Sequence, residues 1–284
     1  MTNTAIALLH PGDMGSAIGA CAVRRGHKVL CALQGRSGNS RQRAKTAGLL
    51  DLDSLEAAVA QAAVVLSVCP PHGALQLARR VAGCGFKGLF VDANAIAPAT
   101  TRQVAELIAA GGASFLDGGI IGAPPGPGIR SSLYLSGGDT APVQALFAGT
   151  PLAIRAADGP PGAASALKAC YAAWNKGATA LLANIRALAV REGVEAPLVQ
   201  EWQHAQPDAL KRTEHACSSA RKAWRWVGEM DEIATAFREA GLPDGFHLGA
   251  SEIFRRLENF KDAPVAPSIE AVTGAIISAS GPRR

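Results

Sequence analysis

Lys168 is the residue of this chain best suited to moving a proton. It stands in the apolar run Gly162-Ala-Ala-Ser-Ala-Leu-Lys-Ala-Cys-Tyr-Ala-Ala-Trp174, and an ammonium among alanines at helical spacing calls for a partner or a task. The alternative is a surface lysine that lays its stem along apolar neighbours and keeps its head in water. Far upstream, His10-Pro-Gly-Asp-Met-Gly15 follows a strand-like segment and opens a helix. This places Gly12 where backbone must approach a pyrophosphate and Gly15 where helix packs on strand, with the helix N-terminus offering N–H groups to the phosphates. His10 replaces the first glycine of the Gly-x-Gly-x-x-Gly pattern, and Pro11 is expected to push His10 toward extended backbone. A tight strand-to-helix turn that binds nothing is the competing reading.

The second strand is entered through Gly26-His27 and ends in Leu33-Gln-Gly-Arg-Ser37. An NAD site usually carries an acid there for the ribose hydroxyls, yet none occurs between Gly26 and Asp51. Arg36, Ser37 and, one turn on, Arg41 instead suit a 2′-phosphate. NADP is therefore the expected cofactor, with NAD as the alternative. Otherwise these arginines are a solvated helix start.

The elements that must hold these groups follow from periodicity. Strands are predicted at Ala5–Leu9, Lys28–Leu33, Val64–Val68, Leu89–Asp92 and Ser114–Leu116, with Leu133–Ser136 and Leu152–Arg155 extending the sheet. Helices are predicted near Met14–Arg25, Asn39–Ala47, Ser54–Gln61, Gly73–Ala82, Pro98–Ala110 and Ala141–Phe147. Such alternation marks βαβ units and a mainly parallel, doubly wound sheet. After Asp158-Gly-Pro-Pro-Gly162 a proline-free, Ala/Leu-rich stretch to Arg191 reads as one long helix. It opens an all-helical region with further helices at Leu198–Ala205, Pro207–Ala216, Ala223–Ala240, Phe246–Leu257 and Ser268–Ser280. Two domains are expected, residues 1–160 and 161–284.

With 284 residues, 48% of them hydrophobic and 18% charged, the chain is long enough to bury a large core. The formal charge of +5 is dispersed, without a basic run or interleaved aromatics, which argues against nucleic acid. The six cysteines are scattered singly and read as small buried residues of a reducing compartment, with no metal site. No apolar run approaches the ~20 residues of a membrane span, and Met1 to Leu9 carries no basic n-region before its apolar stretch. A cytoplasmic protein without membrane attachment is expected.

In order, these pieces resemble the β-hydroxyacid dehydrogenase superfamily, which includes 3-hydroxyisobutyrate and 6-phosphogluconate dehydrogenases and the imine reductases. The resemblance is carried by Gly12-Asp-Met-Gly15, Val91-Asp-Ala-Asn-Ala-Ile-Ala-Pro98, Asp117-Gly-Gly-Ile-Ile-Gly-Ala123 and Gly159-Pro-Pro-Gly-Ala-Ala-Ser-Ala-Leu-Lys168. Lys222-Ala-Trp-Arg-Trp-Val-Gly-Glu-Met-Asp-Glu-Ile233 and Gly241-Leu-Pro-Asp-Gly-Phe-His247 look like a bacterial branch labelled phosphogluconate dehydrogenase, NAD-binding, putative-like. The resemblance implies a Rossmann domain, a long interdomain helix, a helical C-terminal domain that pairs with another subunit into a homodimer, and an active site between domains. It makes Asp13 and Met14, with Gly12 and Gly15, part of the cofactor loop. It places Cys69 and Pro70 beside the cofactor and Asn94 at nicotinamide and substrate. Asn94 otherwise forms an Asx turn capping the helix at Pro98. Ile121, Gly122 and Ala123 fall on a substrate-carboxylate segment whose hydroxyl is missing here, so the pocket wall is greasier.

Lys168 matches the family's catalytic lysine, while the asparagine usual four residues later is Ala172. Tyr171 and Asn175 fall on the lysine's helical face and either is a substitute. The expected activity is NADP-dependent hydride transfer on a small hydroxy or oxo compound, of β-hydroxy acid type. Lys168 would be general acid in reduction and general base in oxidation, the latter requiring its reference pKa of about 10.4 to fall. Imine reduction, for which Tyr171 speaks, and NADP binding without turnover are the alternatives.

Overall fold

The computed structural model describes residues 4–261 and 263–278. Among them, eight strands form one sheet: β1 Ala5–Leu9, β2 Lys28–Cys31, β3 Leu50–Asp51, β4 Val64–Ser67, β5 Leu89–Asp92, β6 Ser114–Ile121, β7 Ser131–Ser136 and β8 Leu152–Ala156, in the order β3-β2-β1-β4-β5-β6-β7-β8. Pairing is parallel except between β6 and β7. This is the mainly parallel Rossmann architecture, with the chain reversing direction across the sheet on either side of β1.

The helices interleaved with these strands are α1 Asp13–Arg24, α2 Gly38–Thr46, α3 Leu55–Ala60, α4 Ala74–Gly83, α5 Pro98–Ala110 and α6 Ala141–Phe147. They bury both faces of the sheet, which is why β1 is apolar at every position rather than alternating. Ile6 and Leu8 pack with Ile18 of α1 and Phe147 of α6. Ala7 and Leu9 pack on the opposite layer with Leu55, Val81, Val104 and Ile108.

β6 runs well beyond the three residues expected of it, and Gly118 and Gly119 are points of close approach inside the strand. A Cβ on Gly118 would lie 2.7 Å from the Asp92 carbonyl oxygen, and one on Gly119 would lie 2.6 Å from that of Ala164. β3 escaped the sequence reading, since two exposed residues carry no alternation to detect.

Helix α7, Ala163–Arg191, is followed by α8 Glu195–Ala205, α9 Pro207–Ala220, α10 Ala223–Glu239, α11 Gly245–Arg256 and α12 Ile269–Ser278. α8 begins earlier than expected because Pro197 lies in its first turn, where a missing N–H costs nothing. Residues 279–280 of the last expected helix lie outside the described residues. The chain divides into two compact units, Met1–Ala169 and Cys170–Arg284. The first turns of α7 therefore belong to the sheet unit, whereas the sequence placed the boundary before the helix. In the second unit, Trp226 packs edge-on against Phe254 at 5.0 Å, and the Lys176 ammonium lies 5.4 Å from the Trp226 ring while pairing with Glu229.

Cys21 and Cys31 are buried, but Cys84 and Cys170 are exposed and Cys69 and Cys217 half-buried, which corrects the expectation of six buried thiols. Among the described residues no cluster of His, Cys, Asp and Glu forms a metal site, and no helix is long and apolar enough to cross a membrane.

Candidate dinucleotide site and lysine

The predicted cofactor loop joins β1 to α1. His10 has φ of +75°, so it is left-handed, not extended as expected from Pro11. The local reason is a tight turn about Pro11 in which Gly12 N–H donates to the His10 carbonyl at 2.8 Å. A Cβ on Gly15 would stand 2.6 Å from that same carbonyl, so glycine is required there. Gly12 is the N-cap of α1, and a Cβ there would meet nothing within 4 Å, which leaves the helix N-terminus open to a ligand. Met14 packs against the core, and the Asp13 carboxylate pairs with Arg43 at 2.6 Å, tying α1 to α2.

In the loop between β2 and α2, Arg36 Nη1 donates to His10 Nε2 at 3.0 Å. Burial foremost, then the charges of Arg36 and His72, hold the His10 pKa down at about 4. Ser37 caps α2 by accepting from Ser40 N–H at 3.3 Å, and Arg41 Nε folds back onto the Arg36 carbonyl at 3.3 Å. Arg36, Ser37 and Arg41 are thus drawn to one helix start. Leu9, His10, Ala32, Arg36, Leu55 and Leu77 line a cavity of about 300 Å³ beside it. Asp51, the first acid after the strand, spends Oδ1 on the backbone N–H groups of Leu33 and Asp53, at 3.0 and 3.1 Å. Gln34, Asp53 and Arg80 also line that cavity, so an acid and cationic groups both face it.

Asn94 is buried at the ends of β4 and β5. Its Nδ2 donates to Ser67 Oγ at 2.9 Å and its Oδ1 accepts from Cys69 N–H. The N-cap of α5 is Ala97, and an Asx turn is made just before it by Asp92, whose Oδ1 accepts from Asn94 N–H at 2.9 Å. Asn94 therefore fastens the segment running from Ser67 through Cys69 and Pro70 to the next strand end. Burial, with Asp92 nearby, pushes the Cys69 thiol up to about 12, so it is no nucleophile. Asp92 is itself raised to about 7 by burial, and its Oδ2 is buried without a hydrogen-bond partner.

The lysine is positioned from β6. Asp117, in register with Asp92, accepts from Gly162 N–H (2.9 Å), Ser165 N–H (3.0 Å), Ser165 Oγ (2.6 Å) and Ser136 Oγ (2.9 Å). Ser136 Oγ also accepts from Ala164 N–H at 3.0 Å, and Thr101 Oγ1 meets Ser165 Oγ at 2.8 Å. The orphan amides of the α7 N-terminus are thereby satisfied by the sheet itself. Lys168, half-buried in the next turn, passes so close to β6 that a Cβ on Gly119 would lie 3.0 Å from its own Cβ.

Ile121 ends the same strand, half-buried, while Gly122 and Ala123 are exposed. Gly122 has φ of +121°, a Cβ there would strike Ser131 Oγ at 2.7 Å, and Ser131 Oγ donates to the Ala123 carbonyl. Tyr171 and Asn175 belong to the second unit: Tyr171 is 49% exposed, and the Asn175 carbonyl accepts from Thr179 Oγ1 at 2.8 Å. Sequence reasoning missed Asp117, Ser136 and Ser165 as the anchor of the lysine's helix. An acid inside an apolar strand followed by paired glycines was the available sign.

Comparison with known proteins bears on both halves. Residues 5–146 match the family model described as the NAD binding domain of 6-phosphogluconate dehydrogenase, and residues 189–257 match a domain of unknown function (DUF1932). A 3-hydroxyisobutyrate dehydrogenase of Pseudomonas aeruginosa is 34% identical over 146 residues, covering 48% of this chain and 46% of the relative. The chain thus spans about half the length of the curated relative it matches. Among solved structures, Mycobacterium tuberculosis 3-hydroxyisobutyrate dehydrogenase with L-serine superposes with a TM-score of 0.70 at 21% identity, covering 97% of this chain and 99% of the other. A reductive aminase of Aspergillus terreus in complex with NADPH and ethyl levulinate gives 0.58 at 18% identity, covering 96% and 99%.

Proposed function

From a chain that belongs to the family of the 6-phosphogluconate dehydrogenase NAD-binding domain, we infer an NADP-dependent oxidoreductase acting on a small hydroxy or oxo compound of β-hydroxy acid type. The observation that carries this reading is the fixing of the Lys168 stem against Gly119, at the end of a strand that also positions α7 through Asp117. The bound dinucleotide would supply or accept the hydride. Gly12, Met14 and Gly15 form the phosphate-facing loop, with Asp13 bracing it through Arg43. Arg36, Ser37 and Arg41 hold the 2′-phosphate, and Cys69, Pro70 and Asn94 form the wall behind the nicotinamide ribose.

Lys168 then handles the proton: its ammonium donates to the oxygen as negative charge develops in reduction, and its neutral amine accepts the hydroxyl proton in oxidation. The exposed backbone at Gly122 and Ala123, with Ile121, faces the substrate carboxylate, and Tyr171 or Asn175 assists the lysine. A panel of β-hydroxy acids assayed with NADP and NAD tests this. Turnover of at least one with NADP preferred is the expected result, and no hydride transfer across the panel would favour a binding protein. Tyr171, exposed on the lysine's own helix, supports imine reduction as the second reading, tested by cyclic imines with NADPH. The second unit leaves Trp174, Leu181, Leu188 and Phe246 57 to 82% exposed, the first three at heptad spacing, which supports a homodimer formed through the helical region. Light scattering of the purified chain would read its mass.

A further inference from the structure

His10 takes the place of the first glycine of the loop pattern and does so at φ of +75°, a left-handed backbone that a Cβ disfavours and glycine adopts freely. Strain of this kind persists where the surrounding structure gains from the side chain. Here the gain is one contact. Arg36 Nη1 stands 3.0 Å from His10 Nε2; a guanidinium only donates, so Nε2 accepts and the ring proton is on Nδ1.

A long arginine loses considerable rotamer freedom when it is fixed, and a pre-positioned one binds more tightly for having lost it beforehand. A carboxylate would fix Arg36 equally well, but it would cancel the charge and compete with any anion. A neutral imidazole does neither. We propose that His10 is a cofactor-selecting positioning residue, pinning Arg36 through an uncharged acceptor so that its full charge and remaining N–H groups are presented to a 2′-phosphate at the start of α2. This rests on the NADP reading above and names what enforces it. Burial beside Arg36 and His72 keeps the imidazole pKa at about 4, so the acceptor is in place at neutral pH. The cavity that His10 and Arg36 share is walled on one side by Leu9, Ala32, Leu55 and Leu77 and carries Gln34, Asp53 and Arg80 as polar groups, a mixed lining suited to a base and its sugar.

The test separates the 2′-phosphate from the rest of the dinucleotide. Adenosine 2′,5′-bisphosphate and adenosine 5′-monophosphate are titrated calorimetrically into the full-length wild type, His10→Gly, His10→Asn, Arg36→Leu and the double variant His10→Gly/Arg36→Leu. Wild type should bind the bisphosphate more tightly. His10→Gly, which relieves the backbone strain, should lower that preference, read as the ratio of bisphosphate to monophosphate affinity, about tenfold, equivalent to about 1.4 kcal/mol. His10→Asn tolerates the left-handed backbone and retains an acceptor, so it should keep most of the preference. In the Arg36→Leu background the His10 change should have no further effect. A wild type that favours the bisphosphate together with a His10→Gly variant that favours it equally would overturn the role of His10 alone. A wild type with no preference would overturn the NADP reading itself.

Discussion

Asp117 accepts a 2.6 Å hydrogen bond from Ser165 Oγ, joining the buried middle of β6 to the first turn of α7. The same carboxylate takes the backbone N–H groups of Gly162 and Ser165, so one side chain on the sheet does the work of an N-cap for the helix that carries Lys168. A negative group at that helix end is also favoured by the dipole. Asp117 is 1% exposed, and its removal would strand several buried donors, each worth about 1–3 kcal/mol. Asp117→Ala should therefore lower unfolding free energy by about 3–5 kcal/mol, and Asp117→Asn by less, since one acceptor oxygen remains. Urea denaturation of the full chain measures both. An Asp117→Ala protein as stable as wild type would show that the cap contributes nothing.

Lys168 itself should be dispensable for folding and necessary for turnover. Lys168→Ala is expected to cut kcat by about 10²–10⁴ with little change in NADPH affinity, the pattern of a lost proton-transfer group. Gly119→Ala probes the same site from the strand. The new Cβ would press on the Ala164 carbonyl and the Lys168 stem, so kcat should fall about 10-fold or more from misplacement of the amine, with the KM for NADPH held. Steady-state kinetics on both variants, with cofactor binding measured separately, distinguishes loss of chemistry from loss of binding.

The order of strands and helices was legible in the residues because buried parallel strands are short apolar runs and the helices between them are bounded by Gly, Pro and polar caps. What escaped was long-range. The strand was expected to stop at Leu116, before Gly118 and Gly119, and only the approach of the Asp92 and Ala164 carbonyls shows why a strand interior needs these glycines. Asn94 read as ligand contact or cap, and its hydrogen bonds to Ser67 and Cys69 cross a gap in sequence that no periodicity spans. His10 was visible as a departure from the glycine pattern, but its partner, Arg36, lies in the loop between β2 and α2.

Gly15 admits a sharp test of the loop. Because a Cβ there would stand 2.6 Å from the His10 carbonyl oxygen, Gly15→Ala must displace the turn that presents the start of α1. NADPH affinity should fall at least about tenfold while stability falls by about 1–3 kcal/mol. Gly12→Ala, where a Cβ meets nothing within 4 Å, should leave stability nearly unchanged and weaken NADPH only through a clash with the ligand itself. Fluorescence titration beside thermal unfolding separates the two, and equal stability losses in both variants would contradict the packing described for this loop.

Two groups, one buried and one half-buried, should give the protein opposing pH dependences. Asp92 is raised by burial from about 3.9 to about 7, with Asn94 donating to it and Asp117 alongside. Between those values the folded chain holds the proton more firmly than the unfolded one, so the Asp92 contribution to stability falls as pH rises through this window and is level above it. His10 is lowered from about 6.5 to about 4, with Arg36 and His72 facing it. There the unfolded chain holds the proton more firmly, so its contribution is present above about pH 6.5 and is lost as pH falls toward 4. The two slopes partly cancel in wild type, which makes difference profiles the informative measurement. Relative to Asp92→Asn, wild type should lose stability from pH 4.5 to 7. Relative to His10→Gly, it should gain stability from about pH 4.5 to 6.5. Denaturation midpoints across that range decide it, and a flat difference profile for either variant would remove the corresponding group from the account.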